Sequence, residues 1–192
     1  MKRVLIALEI LIIIVIAAGL IFIYSGTYNI AASAGHYDFV RWVLATTMEN
    51  SVRSHAAGIE APNLERFERR QAMRHFDEMC VLCHGAPGVK PSAIGQGIVP
   101  EPPELSEVAP QWTPGELFWI VKNGIRMSGM PAFGLTHPDE DIWMMVAFIR
   151  QLPDITAEEY QAMTARLPRS AGHEHEQRQE TAPASQSGGQ MP

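Results

Sequence analysis

The chain has 192 residues, of which 46% are hydrophobic, and a formal net charge of −6. This length allows one ordinary domain with additional segments. The acidic balance disfavours a nucleic-acid partner, because phosphate binding requires clustered lysines and arginines.

The N-terminal segment predicts a transmembrane anchor. Apart from Glu9, residues 4–24 are uncharged and almost all apolar, and as a helix they would span about 31 Å, which matches the hydrocarbon core of a bilayer. The basic pair within residues 1–3 favours a cytoplasmic N-terminus and an exported main domain. A cleaved signal peptide is the alternative, with "ASA" at 32–34 as its cleavage site, but that site lies far from the end of the apolar run.

The segments between the anchor and the main domain differ in composition. Residues 25–37 are small and polar, which predicts a juxtamembrane linker. Residues 38–62 predict a helical extension, because apolar side chains recur at near-helical spacing and Gly58 ends the pattern. We expect this helix to pack on the outside of the main domain or to lie at the membrane surface.

The main domain is predicted over residues 63–168 and belongs to the all-α class, because no alternating strand pattern occurs. Its first helix has Asn63 as a plausible N-cap and runs into the cysteines. Residues 85–110 are rich in Gly and Pro, and they predict a segment without regular structure.

Three later helices have clear start and stop signals. The helix over 113–124 opens with a capping box and ends at a glycine. The helix over 138–152 has acidic residues in its first turn, and a second capping box opens the helix over 156–167. Residues 169–192 have no apolar pattern, which predicts a disordered tail.

The motif "CVLCH" at 80–84 contains the only two cysteines of the chain, with His84 directly after the second. A structural zinc site usually requires four ligands, a redox pair of the thioredoxin type requires a strand–helix context, and a disulfide across so small a loop would stabilise little. Two thiols about one helical turn apart can instead reach both vinyl groups of one porphyrin, and the adjacent imidazole then falls beneath the iron. We therefore predict one haem c, bound covalently through Cys80 and Cys83, with His84 as the proximal iron ligand.

Met130, in the loop "SGMPAFG", is the predicted distal iron ligand. Gly129 removes bulk before it and Pro131 fixes the backbone after it, so the loop can place a thioether over the iron, a ligand that raises the reduction potential. Met127 is the nearest competitor, and a simple core role for Met130 is the other interpretation. Histidines that could ligate instead are His36, His55, His75 and His137, although each is more often a surface or capping group.

Together, "CVLCH" and the later "GMPAF" make residues 64–153 resemble class I c-type cytochromes, and more narrowly the small membrane-anchored monohaem cytochromes of bacteria. The resemblance implies the class I cytochrome c fold, in which the helix before the cysteines crosses the C-terminal helix near a right angle. At this crossing Phe76 should pack on Trp143 or Phe148, and Ala72 stands where the family usually has Gly, which implies a slightly wider crossing.

The resemblance also implies a proline carbonyl that holds the proximal imidazole. The candidates are Pro87, Pro91, Pro100, Pro102 and Pro103. An apolar pocket wall is expected from Trp112, Phe118, Trp119, Ile120, Ile125 and Phe133. Lys122, Asn123 and Arg126 are candidates to lie near the haem propionates, or simply form a solvated surface.

The function implied by the resemblance is electron transfer without catalysis. The chain would be a cytochrome tethered to the bacterial inner membrane, with its haem domain in the periplasm, that passes single electrons between respiratory redox proteins at the membrane surface. One alternative is a haem-bearing subunit of a membrane dehydrogenase or terminal oxidase complex. Two others are an enzyme or sensor with an open distal site and a thiol protein without haem.

Overall fold

The computed structural model describes residues 1–166, and within that range the chain is helical and contains no strand. The α-helices are α1 (Lys2–Tyr24), α2 (Asp38–Ala56), α3 (Arg69–Met79), α4 (Val81–His84), α5 (Ala93–Gln96), α6 (Leu105–Val108), α7 (Pro114–Asn123), α8 (Asp139–Ile149) and α9 (Ala157–Thr164). Short 3-10 turns occupy Leu64–Arg66, Ala109–Gln111, Phe133–Leu135 and Leu152–Asp154. The predicted all-α class is confirmed, and the predicted tail at 169–192 lies outside the described residues.

Within residues 1–166, only α1 is long and apolar enough to cross a membrane. Its most apolar window has a mean hydropathy of 3.1, and none of that window is buried against the rest of the protein. A helix with this composition and no protein cover fits the anchor predicted over 4–24.

The centre of the domain is the contact between α3 and α8. On α3, Ala72, Met73 and Phe76 are fully buried, and on α8 every residue from 142 to 149 is buried. A helix that is apolar on all sides must be covered on all sides. The neighbours that cover α8 include α3 and α7.

Aromatic pairs fix the register of these helices. The rings of Phe76 and Phe148 have centroids 5.1 Å apart and are tilted by 47°, whereas Trp143 stacks on Phe118 of α7 at 4.1 Å. Of the two partners predicted for Phe76, the structure therefore selects Phe148. Ala72, one turn before Phe76 on α3, is buried as well.

Both predicted capping boxes are present. The Thr113 N–H donates to the Glu116 carboxylate at 2.7 Å and the Glu116 N–H donates to Thr113 Oγ1 at 3.3 Å. Thr156 and Glu159 form the same reciprocal pair at the start of α9. Hydrogen bonds from the Thr156 backbone and side chain lower the pKa of the Glu159 carboxyl.

Asn63 does not start the helix that leads to the cysteines, so this prediction was wrong. Its side chain accepts a hydrogen bond from the Glu65 N–H at 3.0 Å and caps only the turn Leu64–Arg66. Phe67 then adopts an extended backbone, and α3 begins after Glu68, whose carboxylate accepts from two N–H groups in the first turn of α3. The local sequence offers two caps in succession, and the chain uses both.

Residues 85–110 are less irregular than predicted, because they contain the single-turn helices α5 and α6. Ser92 caps α5 by accepting from the Gly95 N–H at 3.3 Å. The density of Gly and Pro limits each of these helices to one turn.

The C-terminal half of α2 packs on α7. Val52 and Ala56 are buried, and the His55 ring lies 5.5 Å from the ring of Trp119 on α7. This half of α2 therefore lies on the outside of the main domain, the first of the two predicted placements.

Candidate haem-binding site

The two cysteines lie at the junction of α3 and α4. Cys80 closes α3 and opens α4, and the Cys83 N–H donates to the Cys80 carbonyl at 3.1 Å. One tight helical turn thus separates the two side chains. Both are free thiols, Cys80 buried and Cys83 half-buried.

The environment of Cys80 disfavours a redox-active pair. Burial raises the pKa of the Cys80 thiol to about 12, and the neighbouring Cys83 adds to this effect. A thiol that stays protonated is a poor nucleophile and a poor ligand for a metal ion, because both roles require the thiolate. In residues 1–166 no group of three or more His, Cys, Asp or Glu side chains is arranged to hold a metal ion.

The ring of His84 is oriented by a proline carbonyl. His84 Nδ1 lies 2.8 Å from the Pro103 oxygen, and since a carbonyl only accepts, Nδ1 must carry the proton and Nε2 must keep its lone pair. Burial lowers the pKa of the His84 imidazole, while the hydrogen bond to Pro103 acts in the opposite direction. The neutral ring with a free Nε2 is the form that binds iron, and among the five candidate prolines the structure selects Pro103.

The loop that carries Pro103 is held close to the "CVLCH" motif. Ser92 Oγ donates to the Leu82 carbonyl at 2.8 Å. A Cβ at Gly95 would lie only 2.6 Å from the Leu82 oxygen and 2.9 Å from Cys83 Cα. Only glycine allows α5 to approach the backbone of α4 this closely, and this approach anchors the loop leading to Pro103.

Met130 and Met127 occupy different environments. Met130 is half-buried and packs against the hydrophobic core, and its N–H donates to Ser128 Oγ at 3.2 Å. Met127 is 71% exposed and has a φ of 63°. Of the two methionines, only Met130 faces the protein interior, which supports its choice as the candidate distal ligand.

The Met130 loop rests on the end of α7. Gly124 closes α7 with φ 65° and ψ −175°, a backbone conformation that is essentially restricted to glycine. A Cβ at Gly124 would lie 2.7 Å from the carbonyl oxygen of Met130 and 2.7 Å from the carbonyl carbon of Pro131. The missing side chain lets the end of α7 support the backbone of the ligand loop.

The remaining predicted site residues are those of the pocket wall and those proposed to lie near the haem propionates. In the predicted wall, Phe118 and Ile120 are buried, and Trp112, Trp119, Ile125 and Phe133 are half-buried. Lys122 forms an ion pair with Asp139 at 2.6 Å, so its ammonium serves a contact between α7 and the start of α8. This pairing favours the interpretation of Lys122 as part of a solvated surface.

Three of the alternative histidines have hydrogen-bond partners of their own. His36 bonds to the Tyr28 hydroxyl, His55 Nδ1 lies 2.8 Å from the Ser51 carbonyl, and His137 Nδ1 contacts Thr136 at 2.9 Å. These contacts are typical of surface and capping roles.

One contact that supports α3 was not predicted from the sequence. The Tyr160 hydroxyl donates to Asp77 Oδ1 at 2.8 Å, and its ring meets the edge of Phe76 at 6.4 Å. Burial and then the hydrogen bond to Asp77 raise the pKa of the Tyr160 phenol. A lone Tyr in a short polar helix gives no sequence signal for this contact, which joins residues far apart in the chain.

Comparison with protein families gives one match that covers this site. The model of the family "Cytochrome C oxidase, cbb3-type, subunit III" matches residues 68–149. Comparison with the curated proteins and with the solved structures gave no match. The matched span runs from the cap of α3 to the end of α8 and includes Cys80, Cys83, His84 and Met130. This family implies covalently bound haem c, and the match identifies residues 68–149 as a cytochrome c domain that is consistent with class I.

Proposed function

We propose that this protein is a membrane-tethered monohaem c-type cytochrome that transfers single electrons between respiratory redox partners. The observation that carries the proposal is the state of His84. It follows the two free thiols directly, and its Nδ1 is engaged by Pro103 while Nε2 is left as a ligand atom. This arrangement occurs inside a domain that matches a cytochrome c family.

The residues present fit haem c. Cys80 and Cys83 would hold the porphyrin through two thioethers, His84 Nε2 would bind the proximal side of the iron, and the Met130 sulfur would bind the distal side. When bound, the haem supplies reversible one-electron chemistry. The chain contributes orientation of the imidazole through Pro103 and placement of the Met130 loop against the core.

The cysteine count limits the number of haems. The chain has two cysteines, and attachment of one haem c through both vinyl groups uses two thiols. A single covalent haem is therefore the largest number that this mode of attachment allows. A carrier with one haem exchanges one electron per cycle and needs no catalytic residues of its own.

The segments of the chain would divide the work of tethering and electron transfer. Residues 1–3 would remain in the cytoplasm, and residues 4–24 would cross the inner membrane. Residues 25–37 would form the juxtamembrane linker and residues 38–62 the helical extension. Residues 63–168 would form the haem domain in the periplasm. Such a tether confines diffusion to the membrane surface and raises the effective concentration near membrane-associated redox partners.

A second role is favoured by the family description, which names a subunit of an oxidase. In that case the chain would be the electron-transfer subunit of a terminal oxidase or membrane dehydrogenase complex. Purification in mild detergent discriminates between the two roles. A free monomer that is reduced and reoxidised indicates a shuttle, and a stable complex indicates a subunit.

Haem staining after denaturing electrophoresis tests the proposal directly. The wild-type chain and the matched control Ser54→Ala, an exposed position on α2, should both stain at the mass of the polypeptide. The double variant Cys80→Ala/Cys83→Ala should not stain. A colourless wild-type chain, or a double variant that still stains, would contradict the proposal.

Ligand binding tests the distal side. The reduced wild-type protein should resist carbon monoxide, because the Met130 sulfur would hold the position that carbon monoxide needs. Rapid and stoichiometric carbon monoxide binding by the wild type would favour the sensor or enzyme with an open distal site.

A further inference from the structure

The first half of α2 carries a second apolar surface that the domain does not cover. The first apolar stripe of α2 consists of the half-buried Leu44 and Met48 and the buried Val52 and Ala56. On the opposite side of the helix, at 3.6 residues per turn, lies an outer patch that consists of Phe39, Trp42 and Val43. These three side chains are 71%, 63% and 37% exposed, respectively.

The outer side of α2 changes character along its length. In the second half of the helix the same side presents the exposed polar residues Glu49 and Asn50. The apolar part thus lies at the end nearest the linker, and the polar part lies at the end attached to the main domain. A helix that faced water along its whole length would have no physical reason for this gradient.

A chain of contacts brings the start of α2 close to the end of the membrane span. The Tyr28 ring lies 6.2 Å from the ring of Phe22 in the last turns of α1. The Tyr28 hydroxyl lies 3.1 Å from His36 Nδ1, and the next residue, Tyr37, is the N-cap of α2. The linker therefore folds back on itself, and the outer patch begins where the span ends.

The chemistry of this region suits the boundary between headgroups and acyl chains. Trp and Tyr are enriched at that boundary, because one part of each side chain is apolar and the other is polar. Tyr24, Tyr28 and Tyr37, which lie between the end of α1 and the start of α2, are exposed, and so is Trp42. The two charges in the first turn of α2, Asp38 and Arg41, pair with each other at 2.6 Å.

A protein partner is a poorer occupant for this patch. Specific protein interfaces bury about 1,600 Å² in total, which three side chains cannot supply. Insertion into a lipid boundary requires no complementary shape, and it gains free energy from each apolar side chain separately.

We propose that the first half of α2 lies in the lipid interface, with Phe39, Trp42 and Val43 inserted, and that α2 thereby orients the haem domain relative to the bilayer. The orientation follows because the second half of α2 packs on α7, where the His55 ring meets the Trp119 ring. This inference rests on the membrane tether of the proposed function.

Nitroxide labels on the full-length holoprotein test this placement. The protein is reconstituted in vesicles of phosphatidylcholine and phosphatidylglycerol, and one label is attached at a time through Val43→Cys, Asn50→Cys or Ile13→Cys. The native cysteines are consumed by the haem. Collision rates are measured with oxygen, which concentrates in lipid, and with a water-soluble nickel complex. We expect the oxygen-to-nickel ratio at position 43 to exceed that at position 50 severalfold.

The label at position 13, in α1, tests the membrane tether separately from the placement of α2. If position 13 is in lipid while position 43 is as accessible to nickel as position 50, the tether stands and the placement of α2 is refuted. Protection of position 43 from both reagents would also refute it, since a protein surface would then cover the patch. A water-exposed label at position 13 would overturn the tether and this inference together.

Discussion

Gly124→Ala should displace the candidate distal ligand, Met130, without altering its side chain. The added Cβ would meet the Met130 carbonyl oxygen at 2.7 Å, whereas ordinary van der Waals contact begins at 3.4 Å. The backbone of the ligand loop must therefore retreat by about 0.7 Å, the difference between these two distances. Because the contact is with backbone atoms, a rotamer change of a side chain cannot relieve it.

Gly58→Ala is the matched control. Gly58 also has a positive φ, of 87°, but a Cβ at this position would have no heavy atom within 4 Å. Its substitution should cost only the backbone strain of a side chain at positive φ, about 1–2 kcal/mol. At Gly124 a similar strain adds to the displacement of the loop, so a loss of about 2–4 kcal/mol is expected.

Urea unfolding with two probes measures both effects. Far-ultraviolet circular dichroism reports the helices, and the weak near-infrared absorbance of a sulfur–iron bond reports Met130. In Gly124→Ala the near-infrared band should be absent or lost before the helices unfold, while in Gly58→Ala the two signals should change together. Equal losses of stability in the two variants, with the band of Gly124→Ala persisting to the same urea concentration as in the wild type, would show that Gly124 does not support the Met130 loop.

Three further changes test the site and the core. Met130→Ala should leave the haem attached but abolish the sulfur–iron band and lower the midpoint potential, whereas Met127→Ala should change neither; a band that survives the first substitution would exclude Met130 as the ligand. Phe76→Leu and Phe148→Leu, measured singly and together by urea unfolding, should show a coupling of about 0.5–1.5 kcal/mol, and additive losses would contradict a direct ring contact. Thr113→Ala should cost about 1 kcal/mol through the lost cap of α7, and an unchanged unfolding midpoint would indicate that the cap contributes nothing to stability.

The helix starts that were predicted correctly depend on chemistry within a few residues. The boxes at Thr113 and Thr156 need only a side-chain oxygen and a Glu three positions later, so the sequence contains the whole signal. At Asn63 the local signal was equally clear, yet the helix begins after Glu68. Leu64 and Phe67 pack against the core, and this long-range contact interrupts the helix between the two caps.

The candidate site shows the same division between local and long-range information. The motif from Cys80 to His84 is contiguous and could be interpreted from its spacing alone. The choice of Pro103 depends on the path of the whole segment 85–110 around α4. The choice of Phe148 over Trp143 depends on the register of α8 against α3, which no local pattern specifies.

The contact between Tyr160 and Asp77 has a consequence for where the fold can end. The family match stops at Ile149, but α9 continues past it and returns to cover the Phe76 face of α3. A polypeptide shortened to the matched span would leave this face in contact with water and would deprive Asp77 of the phenol. The smallest fragment able to keep this fold should therefore include α9 and reach at least Thr164.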